Sequence, residues 1–173
     1  MLEFLIFLPI ILLILAAIIF LFFSIIPILR GAPFVPIHKK RLDMALEFLN
    51  LKPGQKITDL GSGDGRVLIE IAKKGVMAVG YEINPLLVLK AKMEIKKQGL
   101  SKLAFCKWQS FWKMNFGDFD VVFIFGINHI MKGIEKKAQK ELRPGSKIVC
   151  FVFSLPIWQP IFAENGVYIY EKR

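Results

Sequence analysis

The 173-residue chain contains only two histidines and two cysteines, and its first 29 residues contain no Lys or Arg. So few imidazoles argue against a His-built metal cluster, and no metal is expected. Cys106 and Cys150 each lie inside an apolar run without regular spacing, so neither a disulfide framework nor a zinc site follows; buried free thiols are the expectation. Gly-Lys-Ser/Thr is absent, which removes the P-loop. In a dinucleotide fingerprint G-x-G-x-x-G the third glycine would fall at position 66, which is Arg66. Zinc-finger spacing, aromatic-interleaved RNA motifs and internal repeats are also missing.

What is present is unevenly distributed. Leu2–Leu29 holds one charge, Glu3, in 28 residues, and about 20 apolar residues suffice to cross a bilayer. A cleaved signal would begin with basic residues, have a shorter apolar run and end in small residues. This segment does none of these, so residues 1–30 are expected to form a retained single-pass anchor. Arg30, Lys39, Lys40 and Arg41 follow it, which by the positive-inside rule puts the rest of the chain on the cytoplasmic side of a membrane. Residues 31–38, with Pro33 and Pro36, read as a stiff linker, and residues 39–173 as one catalytic-size domain. The net charge is +10, and because Glu3 is the only ionisable side chain before Arg30, the remainder carries +11. Its lysines are scattered through helical stretches. Attraction to an anionic lipid surface, together with simple solvation, accounts for them better than nucleic acid does, and no nucleic-acid partner is expected.

Beyond the linker, helix and strand periods alternate. Leu42, Leu46 and Leu49 mark a helix over 39–50. Strands are predicted at Lys56–Leu60, Val76–Glu82, Leu103–Trp108, Phe119–Phe125, Lys147–Phe153 and Val167–Tyr170. Helices are predicted at Arg66–Lys74, from Pro85 to about Gly99 with Leu86, Leu89 and Met93 along one side, and over 129–142 with Ile130, Ile134, Ala138 and Leu142 inward. This alternation implies an α/β fold, a Rossmann-like doubly wound and mostly parallel sheet, whose ligand sits beyond the carboxyl ends of the strands.

One pattern falls at that place. Asp59-Leu60-Gly61-Ser62-Gly63-Asp64-Gly65 lies between a predicted strand and a predicted helix. Alternate glycines allow a tight turn and close approach of a ligand, and the helix start adds free N–H groups. Glu82 ends the next strand 21 residues beyond Gly61, where a carboxylate can accept both hydroxyls of an adenosine ribose.

These residues resemble the D-x-G-x-G-x-G motif of class I methyltransferases. A closer similarity is to the membrane-anchored lysine methyltransferases of the adenine nucleotide translocase and the ATP synthase c-subunit, with their prokaryotic relatives. It rests on Pro33-Phe34-Val35-Pro36, Asp59–Arg66, Gly80-Tyr81-Glu82-Ile83-Asn84-Pro85, Phe111-Trp112-Lys113 and Leu155-Pro156-Ile157-Trp158-Gln159-Pro160. The resemblance implies S-adenosyl-L-methionine as cofactor, with its amino-acid end near Asp59 and its ribose on Glu82. Gly61, Ser62, Gly63 and Gly65 would cradle it, and the segment near Trp108–Phe111, with Gln109 and Ser110, would flank the adenine. Ser110 stands where relatives often carry Asp. The class has two strands after the fifth; only one is evident here, so the sheet is expected to be abbreviated at its C-terminal end.

Methyl transfer from a sulfonium is an in-line displacement that depends on alignment. A lysine acceptor has a second requirement, because only about one amine in 2,500 is neutral at pH 7. A desolvating pocket lowers that barrier. Phe34, Phe125 and Trp158 are candidate walls, Asn128 is a candidate to orient the amine, and each aromatic also reads as ordinary core. His129, at a helix start, reads as structural. Three functions stay open: a protein-lysine methyltransferase acting on a membrane protein, a methyltransferase for a lipid or quinone-like molecule, and a non-catalytic nucleotide-binding module tethered to a membrane.

Overall fold

The computed structural model describes residues 7–18, 20–21 and 35–173. The chain divides into two compact units, Met1–Pro33 and Phe34–Arg173. In the first, residues 7–18 and 20–21 are helical with exposed side chains. Among the described residues no helix is long and apolar enough to cross a membrane. That finding overturns the single-pass anchor over residues 1–30, and with it the cytoplasmic-side placement that rested on it. The remainder of that segment lies outside the described residues.

The second unit alternates as its periods require. Helix α1 (Lys39–Leu49) turns Leu42, Ala45 and Leu46 inward and stops at Asn50, which takes the left-handed conformation. Strand β1 (Lys56–Leu60) leads through the glycine turn into α2 (Arg66–Lys73); β2 (Met77–Glu82) leads into α3 (Pro85–Lys97). Asn84 caps α3, its side chain accepting from the N–H groups of Leu86 and Leu87, and Pro85 fits the first turn, where no intrahelical N–H bond is lost. Then come β3 (Ala104–Trp108), two 3-10 turns at Phe111–Lys113 and Phe116–Asp118, β4 (Val121–Ile124), α4 (Asn128–Glu141), β5 (Lys147–Phe151), β6 (Phe162–Glu164) and β7 (Val167–Glu171).

The strands form one seven-stranded sheet in the order β3-β2-β1-β4-β5-β7-β6. The first five are parallel, and β7 runs antiparallel to both of its neighbours. The expected abbreviation is therefore corrected. Both terminal strands exist, joined by the turn Asn165-Gly166, whose residues both have positive φ. β6 was missed because three residues, Phe162-Ala163-Glu164, are too few to show a period.

Each face of the sheet carries its own core. On one side Leu42, Leu46, Leu68, Ile71, Val88 and Ala91 pack with Ile57 and Phe123. On the other, Ile130, Ile134 and Ala138 pack with Leu60, Val122, Ile148 and Tyr170. α4 buries the residues predicted for it. In α3 the outcome is reversed: Val88, Ala91 and Ile95 face inward, while Leu86, Leu89 and Met93 are exposed. Cys106 and Cys150 are free and buried, as expected.

One glycine ties the sheet to the loop above it. A Cβ at Gly80 would stand 2.4 Å from Ser62 Oγ and 2.7 Å from Leu68 Cδ1. Gly80→Ala is expected to push the Ser62 turn away from β2 and to cost about 1–3 kcal/mol, the usual range for overpacking. Denaturant unfolding of the variant measures it.

Candidate functional site

The site is built where β1 and β2 end side by side. Register pairs Asp59 with Gly80 and Leu60 with Tyr81, so the glycine turn leaves β1 level with Glu82 at the end of β2. The backbone N–H groups of Gly61 and Ser62 donate to the carbonyl of Tyr81, at 2.8 and 3.2 Å. Gly61, Gly63 and Gly65 all have positive φ, between 52° and 80°, a region that excludes most side chains. The space beside Gly61 is open: a built Cβ would meet nothing within 4 Å. Gly65 is close-packed instead, its Cβ position 3.0 Å from Ala91 Cβ on α3.

Glu82 is buried and turned to the loop. One carboxylate oxygen accepts from Gly63 N–H at 3.0 Å and the other from Asn84 N–H at 2.8 Å. Ionised carboxylate oxygens have about four lone-pair sites, so two backbone donors leave acceptor capacity for two hydroxyls. Its carbonyl accepts from Gln109 N–H at 3.0 Å, which brings the Gln109-Ser110 segment to the same corner. Gln109 is exposed and Ser110 half-buried.

Asp59 lies at the base of the loop, 6% exposed. Burial, then the charges of Glu82 and Asp64, raise its pKa to about 7. Among the described residues no donor hydrogen-bonds to it. A buried acid in this state favours an ammonium neighbour, so the amino-acid end of S-adenosylmethionine fits here. The open side of Gly61 and the spare acceptor sites of Glu82 fit a nucleoside. Asp64 was not singled out from the sequence, yet it is a further acid at this corner. It holds Arg66 through two hydrogen bonds of 2.9 and 2.7 Å and has Lys90 at 3.6 Å. The Arg66 bond keeps its carboxyl below the usual range. Ser62 Oγ meets Cys106 Sγ at 3.5 Å, closing the floor.

The structure thus brings Asp59, Gly61, Ser62, Gly63, Gly65 and Glu82 together, with Gln109 and Ser110 beside them. Phe34 lies outside the described residues. Asn128 is exposed at the first position of α4, and Phe125 just beyond β4 is half-buried against the core. Trp158 is placed differently from its expected role as a pocket wall. Its ring packs on Tyr170 at 5.7 Å, and Tyr170 pairs with Ile148, well below the strand ends. Among the described residues no contact joins Trp158 to the glycine loop. His129 is exposed.

A seven-stranded sheet with a reversed penultimate strand, carrying an acid-glycine loop and a second-strand acid, defines the class I methyltransferase fold. Residues 59–162 match the family model described as the ANTKMT methyltransferase domain, and the chain belongs to that family. It is 37% identical over 128 residues to the human lysine N-methyltransferase of the ATP synthase c-subunit; the match spans 74% of this chain and 54% of that protein. It is 32% identical over 148 residues to a protein-lysine N-methyltransferase of Saccharolobus islandicus, covering 80% and 92%. The chain spans about half the length of the human and mouse c-subunit enzymes that it matches. Among solved structures, an RNA methyltransferase from Salinibacter ruber in complex with S-adenosyl-L-homocysteine superposes with a TM-score of 0.74 at 28% identity, covering 79% of this chain and 93% of that one.

The raised Asp59 has a measurable consequence. Its folded pKa of about 7 exceeds the ordinary 3.8, so the folded state holds the proton more tightly than the unfolded one. The stability this confers is full below pH 3.8 and is lost progressively as pH rises to about 7, by up to about 4 kcal/mol. Thermal unfolding of the ligand-free protein is expected to fall in midpoint between pH 5 and pH 8, and Asp59→Asn is expected to flatten that slope.

Proposed function

We propose that the chain is an S-adenosylmethionine-dependent protein-lysine N-methyltransferase. The observation that carries the reading is the buried Glu82 carboxylate gripping the Gly63 turn beside the buried acid Asp59. Membership in the family and the names of the relatives support lysine as the acceptor. When bound, S-adenosylmethionine supplies an electrophilic methyl group on a sulfonium.

The protein's own residues have three tasks. Glu82 would accept from the ribose hydroxyls, and its bonds to Gly63 and Asn84 hold it still. Asp59 would hold the amino-acid end, its carboxylate favoured by an adjacent ammonium. The loop glycines would hold the cofactor at the strand ends, where the backbone beside Gly61 is open. Alignment of cofactor and acceptor is worth several orders of magnitude in rate. The acceptor amine has to shed its proton, and contact with the half-buried Phe125 would lower the cost by disfavouring the ammonium. Asn128 orients the amine, and Gln109 and Ser110 border the adenine. The acceptor we favour is a lysine of a membrane protein, by analogy with the c-subunit enzymes.

A second reading, an RNA acceptor, draws on the likeness to the Salinibacter enzyme and on the net charge of +10. One experiment separates the two. The purified protein is incubated with methyl-labelled cofactor and a detergent-solubilised membrane-protein fraction containing residual RNA and lipid. Label is expected in methyl-lysine after acid hydrolysis. Label confined to RNA or to extracted lipid refutes lysine as the acceptor. Glu82→Ala is expected to weaken cofactor binding roughly a hundredfold or more, since two hydrogen bonds to a charged acceptor are lost. Unchanged affinity by titration calorimetry would sink the assigned site.

A further inference from the structure

We propose that Glu135 is a positioning residue for the methyl acceptor. Its buried carboxylate grips the backbone of Ile157 and Trp158, and so sets where the irregular segment after β5 stands beside the rim of the site. The inference rests on the protein-lysine reading given above.

Periodicity predicts that β5 runs to Phe153, yet the strand stops at Phe151. Val152 has φ +68°, and Phe153 N–H donates to the carbonyl of Phe151 at 2.8 Å. That is a γ-turn of the strained, positive-φ kind, with a β-branched residue at its centre. Such a conformation costs on the order of 1–3 kcal/mol and persists only where the surroundings hold it. Cys150 pairs in register with Ile124, and Ile124 with Leu60. The turn therefore stands at the carboxyl rim of the sheet, the rim from which Gly61 leaves β1.

From there the chain crosses to β6, which runs parallel to β5 because both are antiparallel to β7. A helix usually makes such a crossover. Here Pro156 and Pro160 forbid one, and residues 152–161 are irregular. Irregular backbone needs partners for its N–H groups. Glu135, 4% exposed on α4, accepts from Ile157 N–H at 3.2 Å with each oxygen, and from Trp158 N–H. Leu155 N–H donates to the Tyr170 hydroxyl at 2.8 Å. Among the described residues no cation pairs with Glu135. A buried carboxylate without a counter-ion is expensive, and the charge-assisted bonds to the segment offset that cost.

One face of α4 links this clamp to the acceptor. Asn128, Met131 and Glu135 fall at i, i+3 and i+7, one stripe about 10 Å long. The segment from the strained turn to the clamp therefore borders the stripe that begins at Asn128, which the proposed function assigns to the acceptor amine. Ile157, 75% exposed, stands on the outside of that border. Held at the turn and at the clamp, Phe153–Pro156 cannot slide, and a shift of about 1 Å in such a wall can cost up to a hundredfold in rate.

Two variants test this. Glu135→Gln keeps the volume but sets an amide NH2 against one of the N–H donors; Tyr170→Phe removes the second tether and leaves Glu135 intact. Amide exchange at Leu155, Ile157 and Trp158 reports the loosening, calorimetry reports cofactor affinity, and the solubilised membrane-protein fraction serves as titrated acceptor. The expected result is faster exchange in both, an apparent acceptor KM raised about tenfold in Glu135→Gln and in the same direction in Tyr170→Phe, and cofactor affinity within about twofold of wild type. Faster exchange with unchanged acceptor KM overturns the proposal, as does cofactor affinity that falls in step with activity. Should Glu135→Gln fail to fold, Tyr170→Phe alone decides, an unchanged KM counting against. Failure of the wild type to form methyl-lysine overturns the functional reading and this inference together; wild-type activity with insensitive variants overturns this inference alone.

Discussion

A single carboxylate, Glu82, joins the two halves of the site. Its oxygens accept from Gly63 in the turn after β1 and from Asn84 at the start of α3, so the two loops that would face a nucleoside are held at one point. The interaction is buried, where a charge-assisted bond is stronger than it would be in water. Two contacts depend on it indirectly. Asn84, fixed by its own N–H, caps α3, and Gln109 reaches the corner through the Glu82 carbonyl. Burial, and then the same charge, raise the pKa of Asp59 to about 7. The pocket is thus assembled by the same carboxylate that would grip the ribose.

A second buried acid acts on the opposite side of the sheet in a comparable way. Glu135 directs its lone pairs to backbone donors of an irregular segment, as Glu82 does to a glycine turn. In both cases an acid stands in for regular secondary structure where the chain cannot form any. Glycines prevent it in one place and prolines in the other. Both segments lead from the carboxyl ends of parallel strands, the rim where an α/β sheet has unpaired backbone and room for a ligand.

The strands β1 to β5 and the four helices were legible because buried parallel strands are short apolar runs and helices repeat every three to four residues. The glycine loop was legible because its residue types answer a backbone requirement. Where the reading missed, competing physics explains it. Leu86, Leu89 and Met93 form an apolar stripe as regular as the one that packs, but the neighbouring strands take Val88, Ala91 and Ile95, whose smaller or narrower side chains let α3 approach to within contact of Gly65. β5 looks continuous through Phe153, and only the left-handed Val152 shows where it ends. The expected anchor followed from hydropathy and flanking charge, and among the described residues no helix is long and apolar enough to cross a membrane.

By itself the sequence determined the alternation of elements, the place of the glycine turn and the identity of its acids, since each depends on neighbours a few positions away. Tertiary structure alone decided which face of α3 is buried, that a seventh strand closes the sheet, and that Glu135, 22 positions from Ile157, holds the segment after β5. Those outcomes depend on which surfaces meet once the chain is folded, and contacts between distant residues leave no period in the sequence.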